Sequence, residues 1–521
     1  MSASQEKKVR KTLREEGKDK RQLAQKKAEK AIARKLRIET GVSIAVVVLI
    51  AVILVFSSNL LYRNFTAVKI GDVSYSAAEY SFFYKTTYNN FVSQYGDYIS
   101  YIGLDTSKSL DSQTYEEGKT WADYFKESAQ DTMKEITALY TEAQKAGFVL
   151  SEDDQATLDS SIESMKTAYV GSDYSNADAY LAATYGKGCT VELISGILEK
   201  YYVANAYSTQ MNDSFTYTSE DLKAYYAENK DNLDKYTYIS YLVDGSVATD
   251  STDTTTVAAS PEVSPSASPE TEAAAAAAAA AMAAAKEKAD KIVADATSVD
   301  TFKQAVLAQT TAEASEATTA GSSLTAAIAD WLKDASRVEG DKTVIETDTG
   351  YYAVYFISRD DNNYKTINVR HILIKAVASE DGTYSDEAKA TAKAKAEALL
   401  AEWKAGDATE DSFATLANAN TEDTGSNTNG GLYENVYKGQ MVTEFNDWCF
   451  AEGRKSGDTT IVYNEGSYCG YHVIYFVGES DTVYADTLAE TEERTADYAA
   501  WKDGVLANYE VKTGFTAILV K

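Results

Sequence analysis

The spacing of apolar positions changes several times along the chain, and each change marks an element. Residues 41–62 hold an uncharged run, Val42 to Leu61, long enough as a helix to span a hydrocarbon core of about 30 Å. Two short apolar stretches, Ala67–Ile70 and Val73–Tyr75, flank a Gly71-Asp72 turn and predict a hairpin. Ser76 to Glu79 has the spacing of a capping box, and Tyr80, Tyr84, Phe91 and Tyr95 follow at helical intervals. From about 120 to 235 the pattern predicts further amphipathic helices, with N-caps at Ser151 and Thr218. Residues 66–235 are therefore expected to form a mostly helical domain.

The pattern then breaks. All three prolines, Pro261, Pro265 and Pro269, fall in a Ser/Thr/Ala/Glu-rich stretch, 245–272, which cannot bury a core and is expected to be disordered. The alanine run Ala273–Ala285 that follows predicts a helix. Beyond it the sequence repeats itself. Asp330-Trp331 and Gly340-Asp341-Lys342-Thr343 recur as Asp447-Trp448 and Gly457-Asp458-Thr459-Thr460, at a constant offset of 117. Gly350 to Phe356 recurs as Gly470 to Phe476, and Ser298 to Phe302 resembles Thr409 to Phe413. Residues 236–360 and 365–480 thus read as two copies of one α+β unit, the first carrying the Pro-containing insertion. In the second copy, Asn368–Ile374 predicts a strand, Ala392, Ala396, Leu399 and Trp403 one stripe of a helix, Thr443-Glu444-Phe445 a helix start, and 467–477 a closing strand. The tail, 481–521, either ends the chain independently or completes the helical domain, to which Trp501 and Phe515–Val520 suit docking.

Charge sharpens this picture. The chain carries 50 basic and 79 acidic residues, a net −29. Residues 1–40 hold 14 basic and 6 acidic residues, leaving 36 basic and 73 acidic in the rest. A basic head, an apolar run and an acidic body predict a single-pass membrane protein with segment 1–40 cytoplasmic, 41–62 an uncleaved transmembrane signal anchor, and the body outside the cell membrane. A cleaved signal peptide is the rival; its apolar region is usually shorter and ends at a small-residue site. No cysteine follows the run, which excludes a lipoprotein anchor. The acidic body excludes nucleic acid as a partner, since nothing there neutralises phosphates. Cys189, Cys449 and Cys469 cannot form a disulfide framework, although a single Cys449–Cys469 bridge is open.

The candidate chemistry lies in the second copy, which contains both histidines of the chain, His371 and His472. The segments VRHILI, FATLA, NTEDTGSNTNGGL, GQMVTEF and GYHVIYF, in this order over about 110 residues, resemble the parvulin family of peptidyl-prolyl cis/trans isomerases. The wider layout is similar to extracytoplasmic foldases of the PrsA and SurA type, which would make 66–235 a chaperone-like domain. The resemblance implies a catalytic network of His371, Asp423 and His472, and a proline pocket of Leu432, Met441 and Phe445 with Gln440 at its rim. It implies no cofactor and no metal: isomerisation breaks no bond to carbon, and Cys469 and His472 have no second ligand pair for zinc. Neither histidine sits in a nucleophile-elbow context, so a hydrolase is not indicated. The first copy lacks a histidine in its first strand, has Tyr352 where the second has His472, and reads as degenerate. An acidic loop, Ser379 to Gly382, argues against phosphate-directed recognition.

The resulting expectation is an isomerase and folding chaperone for exported, unfolded or partly folded polypeptides, held at the cytoplasmic membrane through 41–62. The alternative is a non-catalytic holdase or envelope scaffold built from the same modules. A homodimer is left open by the sequence.

Overall fold

The structure, a computed structural model, describes residues 2–17, 20–57, 59–246, 269–466 and 468–521. The chain divides into two compact units, 1–215 with 496–521, and 216–495. Most of the stretch expected to be disordered lies outside the described residues. Its end does not fit that expectation, because a helix begins at Pro269 and continues through the alanine run to Asp295.

The expectation of a transmembrane helix is overturned. Among the described residues no helix is long and apolar enough to cross a membrane. The apolar run falls in the helix Lys20–Ser57, whose first half is strongly charged. The single-pass placement inferred from the run falls with it.

In the first unit, the strands Thr66–Ile70 and Val73–Ser76 form the expected hairpin, and Ser76 caps the helix Ala77–Tyr95 reciprocally with Glu79. Tyr80 and Tyr84 are buried, whereas Tyr95 lies at the surface. This helix packs with Trp121–Ala146 and Val191–Ser214 around Phe83, Phe125, Met133 and Ile197. The end of the chain completes the unit. Strand Val511–Thr513 pairs antiparallel with Thr66–Ile70, and Ala517 and Val520 enter the core. Trp501 packs on Tyr207. Phe515 and Ile518, by contrast, stay exposed.

The second unit holds two four-stranded antiparallel sheets. The first uses β1 (Lys235–Asp244), β2 (Ala317–Ala320), β3 (Lys342–Thr347) and β4 (Gly350–Asp360) in the order β2-β1-β4-β3. The second uses β5 (Lys365–Lys375), β6 (Leu432–Val436), β7 (Thr459–Glu465) and β8 (Cys469–Val483) in the order β6-β5-β8-β7. Each sheet alternates residues between two faces. One face of the first sheet packs on α1 (Pro269–Asp295) and α2 (Val299–Thr310), the other on α3 (Ala326–Lys333). In the second sheet, Ile372, Ile374, Val473 and Tyr475 pack on α4 (Asp386–Ala405) and α5 (Glu410–Asn420). Ile367, Val369, Ile474 and Phe476 pack on α6 (Thr443–Cys449).

Small details recur between the sheets. Arg337 lies over Trp331 and pairs with Asp341, as Arg454 lies over Trp448 and pairs with Asp458. Phe356 N–H donates to the Asp341 carbonyl and Gly340 N–H to the Phe356 carbonyl in the first, as Phe476 does to Asp458 and Gly457 to Phe476 in the second. The cysteines are unbonded. Cys449 and Cys469 belong to the cores on opposite faces of the second sheet, which separates them.

The tail gives a stability test. Gly514 donates to the Ala67 carbonyl at 2.7 Å, and a Cβ placed on Gly514 would lie 2.4 Å from the Thr66 carbonyl oxygen. Gly514→Ala is expected to destabilise the first unit by about 1–3 kcal/mol, seen as a lower thermal midpoint in near-ultraviolet dichroism. An unchanged midpoint would show that the tail is not packed as described.

Candidate active site

The two histidines sit on the central strands of the second sheet. His371 on β5 pairs with Ile474, and His472 on β8 pairs with Leu373, so the imidazoles are diagonal neighbours on one face. Both are buried, at 5 and 4 % exposure. Their rings stack with centroids 5.3 Å apart, and the two Nδ1 atoms are 3.1 Å apart. Phe445 of α6 stands edge-on to both rings, at 5.6 and 5.5 Å.

The other nitrogen of His371, Nε2, lies 3.0 Å from Oδ2 of Asp423. The same oxygen accepts from Ser426 Oγ at 2.5 Å and Tyr433 OH at 2.9 Å. These donors, the His371 bond foremost, hold the Asp423 carboxyl well below the usual carboxylate range. Burial and the adjacent carboxylate push the Tyr433 hydroxyl up to about 12, so it remains a donor. Burial, with His371 as a second cause, brings the His472 pKa down to about 3.

These constraints orient the protons. A carboxylate only accepts, so His371 Nε2 is the donor to Asp423. Burial keeps His472 neutral, and a His371 ring carrying its one proton on Nε2 presents a bare Nδ1 that receives the proton of His472 Nδ1. His472 Nε2 is left as an acceptor, and Tyr468 OH lies 3.0 Å away to fill it. The hydrogen-bond chain runs Tyr468, His472, His371, Asp423 in one direction.

The loop that carries Asp423 is fixed from two sides. Arg370, on the opposite face of β5 from His371, binds Glu410 and donates to the carbonyls of Asn429 and Gly430. Gly431 has φ +70°, and a Cβ there would lie 2.2 Å from the His371 carbonyl oxygen, so the turn closes only without a side chain.

The structure thus brings His371, Asp423, His472 and Phe445 together, and Met441 packs half-buried on the same apolar cluster. Gln440 is exposed, and its side-chain oxygen accepts from Tyr437 N–H, bracing the turn before α6. Leu432 stands apart from these residues. It pairs with Arg370, which turns it to the face opposite His371. Tyr433, one residue on, pairs with Val369 and takes that place, its ring 5.4 Å from that of His371. Gly430 and Gly431, both at positive φ, reset the strand alternation before β6 and so hide Tyr433 in the sequence; Ser426 and Tyr468 have no periodic signal either. A groove between α4 and α5, lined by Glu402, Trp403, Asp411 and Leu416, contains none of the network.

An antiparallel sheet with two helices on one face, and on the other a buried imidazole pair anchored by a carboxylate beside an apolar wall, defines an α+β domain built around a polar network. Residues 352–479 match the family described as the PPIC-type PPIASE domain, so the chain carries a peptidyl-prolyl isomerase domain of the parvulin type. Among solved structures it is similar to peptidylprolyl isomerase PrsA from Bacillus anthracis, at 20 % identity and a TM-score of 0.18, covering 28 % of this chain and 59 % of that one. The corresponding structure from Bacillus cereus is 24 % identical, with a TM-score of 0.18 and coverage of 28 % and 49 %. The foldase protein PrsA from Streptococcus pneumoniae is 13 % identical, with a TM-score of 0.24 and coverage of 79 % and 98 %. The chain therefore spans about half to three-fifths of the two Bacillus structures. No curated protein matches it.

The network predicts a pH dependence. The folded pKa of His472 lies below its ordinary value of 6.5, so the unfolded chain binds the extra proton first as pH falls. Stability from this group is complete above about pH 6.5 and is lost toward pH 3; between pH 7 and 5 the loss is about 2 kcal/mol. Asp423 acts in the same sense at lower pH. Urea titration followed by hydrogen exchange of β5 and β8 amides should show this slope, and His472→Asn should flatten it above pH 5. A pH-independent wild type contradicts the burial of a neutral His472.

Proposed function

We propose that this site accelerates cis/trans rotation about Xaa-Pro bonds in unfolded or partly folded polypeptides, and that the chain works as a folding factor. The observation that carries the reading is the contact of Phe445 with both histidine rings, which sets an apolar wall directly against the Asp423-anchored hydrogen-bond chain.

Rotation about a peptide C–N bond is opposed by amide resonance, a barrier of roughly 18–20 kcal/mol. Resonance also makes the planar amide polar, so an apolar surface favours the twisted state over the planar one. In this reading Phe445, Met441 and Tyr433 hold and desolvate the pyrrolidine ring, and this binding is stronger in the twisted geometry. Catalytic roles fall to His371, His472 and Asp423, whose fixed dipoles orient the amide without needing to rearrange during rotation. Gln440 stands at the exposed edge of this surface. No proton leaves the network, and no covalent bond forms or breaks.

Binding without catalysis is the reading favoured for the first sheet alone. There, Tyr352 pairs with Leu242 as His472 pairs with Leu373, and Ser240 occupies the place of His371. That sheet keeps the architecture and lacks the imidazoles.

The full chain should speed exchange of a Xaa-Pro tetrapeptide, measured by two-dimensional NMR exchange. Met441→Ala and Asp423→Ala should each lower kcat/KM by about 10- to 100-fold, a loss of roughly 1.4–2.7 kcal/mol in transition-state stabilisation, with far-ultraviolet dichroism unchanged. If the wild-type chain gives no acceleration, the holdase reading replaces this one.

A further inference from the structure

The two sheets differ most at one edge. In the second sheet, β6 pairs with only the first part of β5, and the outer side of β5 is then taken over by the loop between α5 and β6. His371 N–H donates to Gly431 O at 2.9 Å, Leu373 N–H to Thr421 Oγ1 at 3.0 Å, and Lys375 N–H to Glu422 Oε2 at 2.8 Å. Glu422 N–H returns a bond to Leu373 O at 2.9 Å. Every outward donor from His371 to Lys375 is therefore satisfied.

In the first sheet β2 pairs with β1 from Lys235 to Tyr238 and no further. In an antiparallel ladder alternate residues turn their N–H and C=O outward. The phase is fixed by the matching registers: Leu242 faces Tyr352 as Leu373 faces His472, so Ser240 and Leu242 are the outward residues. Among the described residues neither outward N–H has a hydrogen-bond partner. The connection before β2, Thr311 to Glu316, is six residues long where the second sheet has eleven, Thr421 to Gly431, and it bonds nowhere to β1. Ser240, Tyr241 and Leu242 are only half-buried.

An open strand edge is a template for another strand, and folded proteins commonly cover or blunt it. We propose that the outer edge of β1 from Ile239 to Val243 is a docking edge for an extended segment of polypeptide, which adds as a strand beside β1. The occupant follows from the second sheet. The corresponding edge there is filled by a segment of polypeptide whose backbone sets the Gly431 carbonyl on the His371 amide and the Glu422 amide on the Leu373 carbonyl, with side-chain oxygens of Thr421 and Glu422 taking the other two donors. Main-chain bonds give such a site affinity with little demand on sequence. It would hold a client strand in the sheet that lacks the imidazoles. The proposal is independent of catalysis at His371 and His472, so the two readings fail separately.

Fluorescence anisotropy of the full chain with a labelled peptide of alternating valine and threonine, lysine at each end and no proline, tests this. Ser240→Pro removes an outward donor that the β1–β4 ladder does not use, and Pro is tolerated at such an edge position. It should weaken the peptide about tenfold or more, one factor of ten being 1.4 kcal/mol, with tetrapeptide isomerisation unchanged. Leu242→Lys should act likewise. With wild-type protein, N-methylation of the peptide on one set of alternate residues should abolish binding, and on the other set should not. Equal binding by Ser240→Pro and by both methylated peptides overturns the proposal. So does loss of binding in Met441→Ala, which would put the peptide on the isomerase surface. Self-association that Ser240→Pro abolishes would assign the edge to a second copy instead.

Discussion

A single carboxylate oxygen orders the chemistry of this domain. Asp423 Oδ2 takes hydrogen bonds from His371, Ser426 and Tyr433, and stays ionised because all three favour the charged form. Since a carboxylate only accepts, the proton on His371 is assigned, then that on His472, then the direction of the Tyr468 hydroxyl. A buried imidazole pair without such an anchor would have interchangeable tautomers and no fixed field. Burial keeps His472 neutral, and Phe445 stands edge-on to its ring.

The rest of the domain holds that oxygen in place. Central strands β5 and β8 set the two imidazoles diagonally. Arg370, reaching from the opposite face, fastens the loop to Glu410, and Gly431 lets its backbone close onto His371. The same loop covers the outer edge of β5. In the first sheet the shorter connection leaves the edge of β1 open, and the imidazoles are missing from the strands themselves, with Ser240 and Tyr352 in their places.

Much of this arrangement was legible from residue pattern. The capping box at Ser76, the alanine helix and the recurrence of Asp-Trp, Gly-Asp and Gly-Tyr segments are local or periodic signals. The confinement of both histidines to one copy pointed to the site. Pocket register was not legible, because two consecutive glycines at positive φ reset strand alternation, and this moved the wall from Leu432 to Tyr433. Tyr468 and Ser426 join the network through short-range contacts, to His472 four residues on and to Asp423 three residues back, that no periodic pattern marks. The apolar run at 41–62 read as a membrane span because a run of uncharged residues reports composition. The helix that carries it, Lys20–Ser57, is charged through its first half. The docking of the last strand was open in sequence because a three-residue strand has no periodicity to read.

The most direct test is nitrogen-15 NMR of the two imidazoles at pH 7, where only two rings contribute. The account predicts His371 protonated at Nε2 and bare at Nδ1, and His472 protonated at Nδ1 and bare at Nε2, with Asp423→Ala leaving both rings averaging between tautomers. A doubly protonated ring, or tautomer averaging in the wild-type chain, would contradict it.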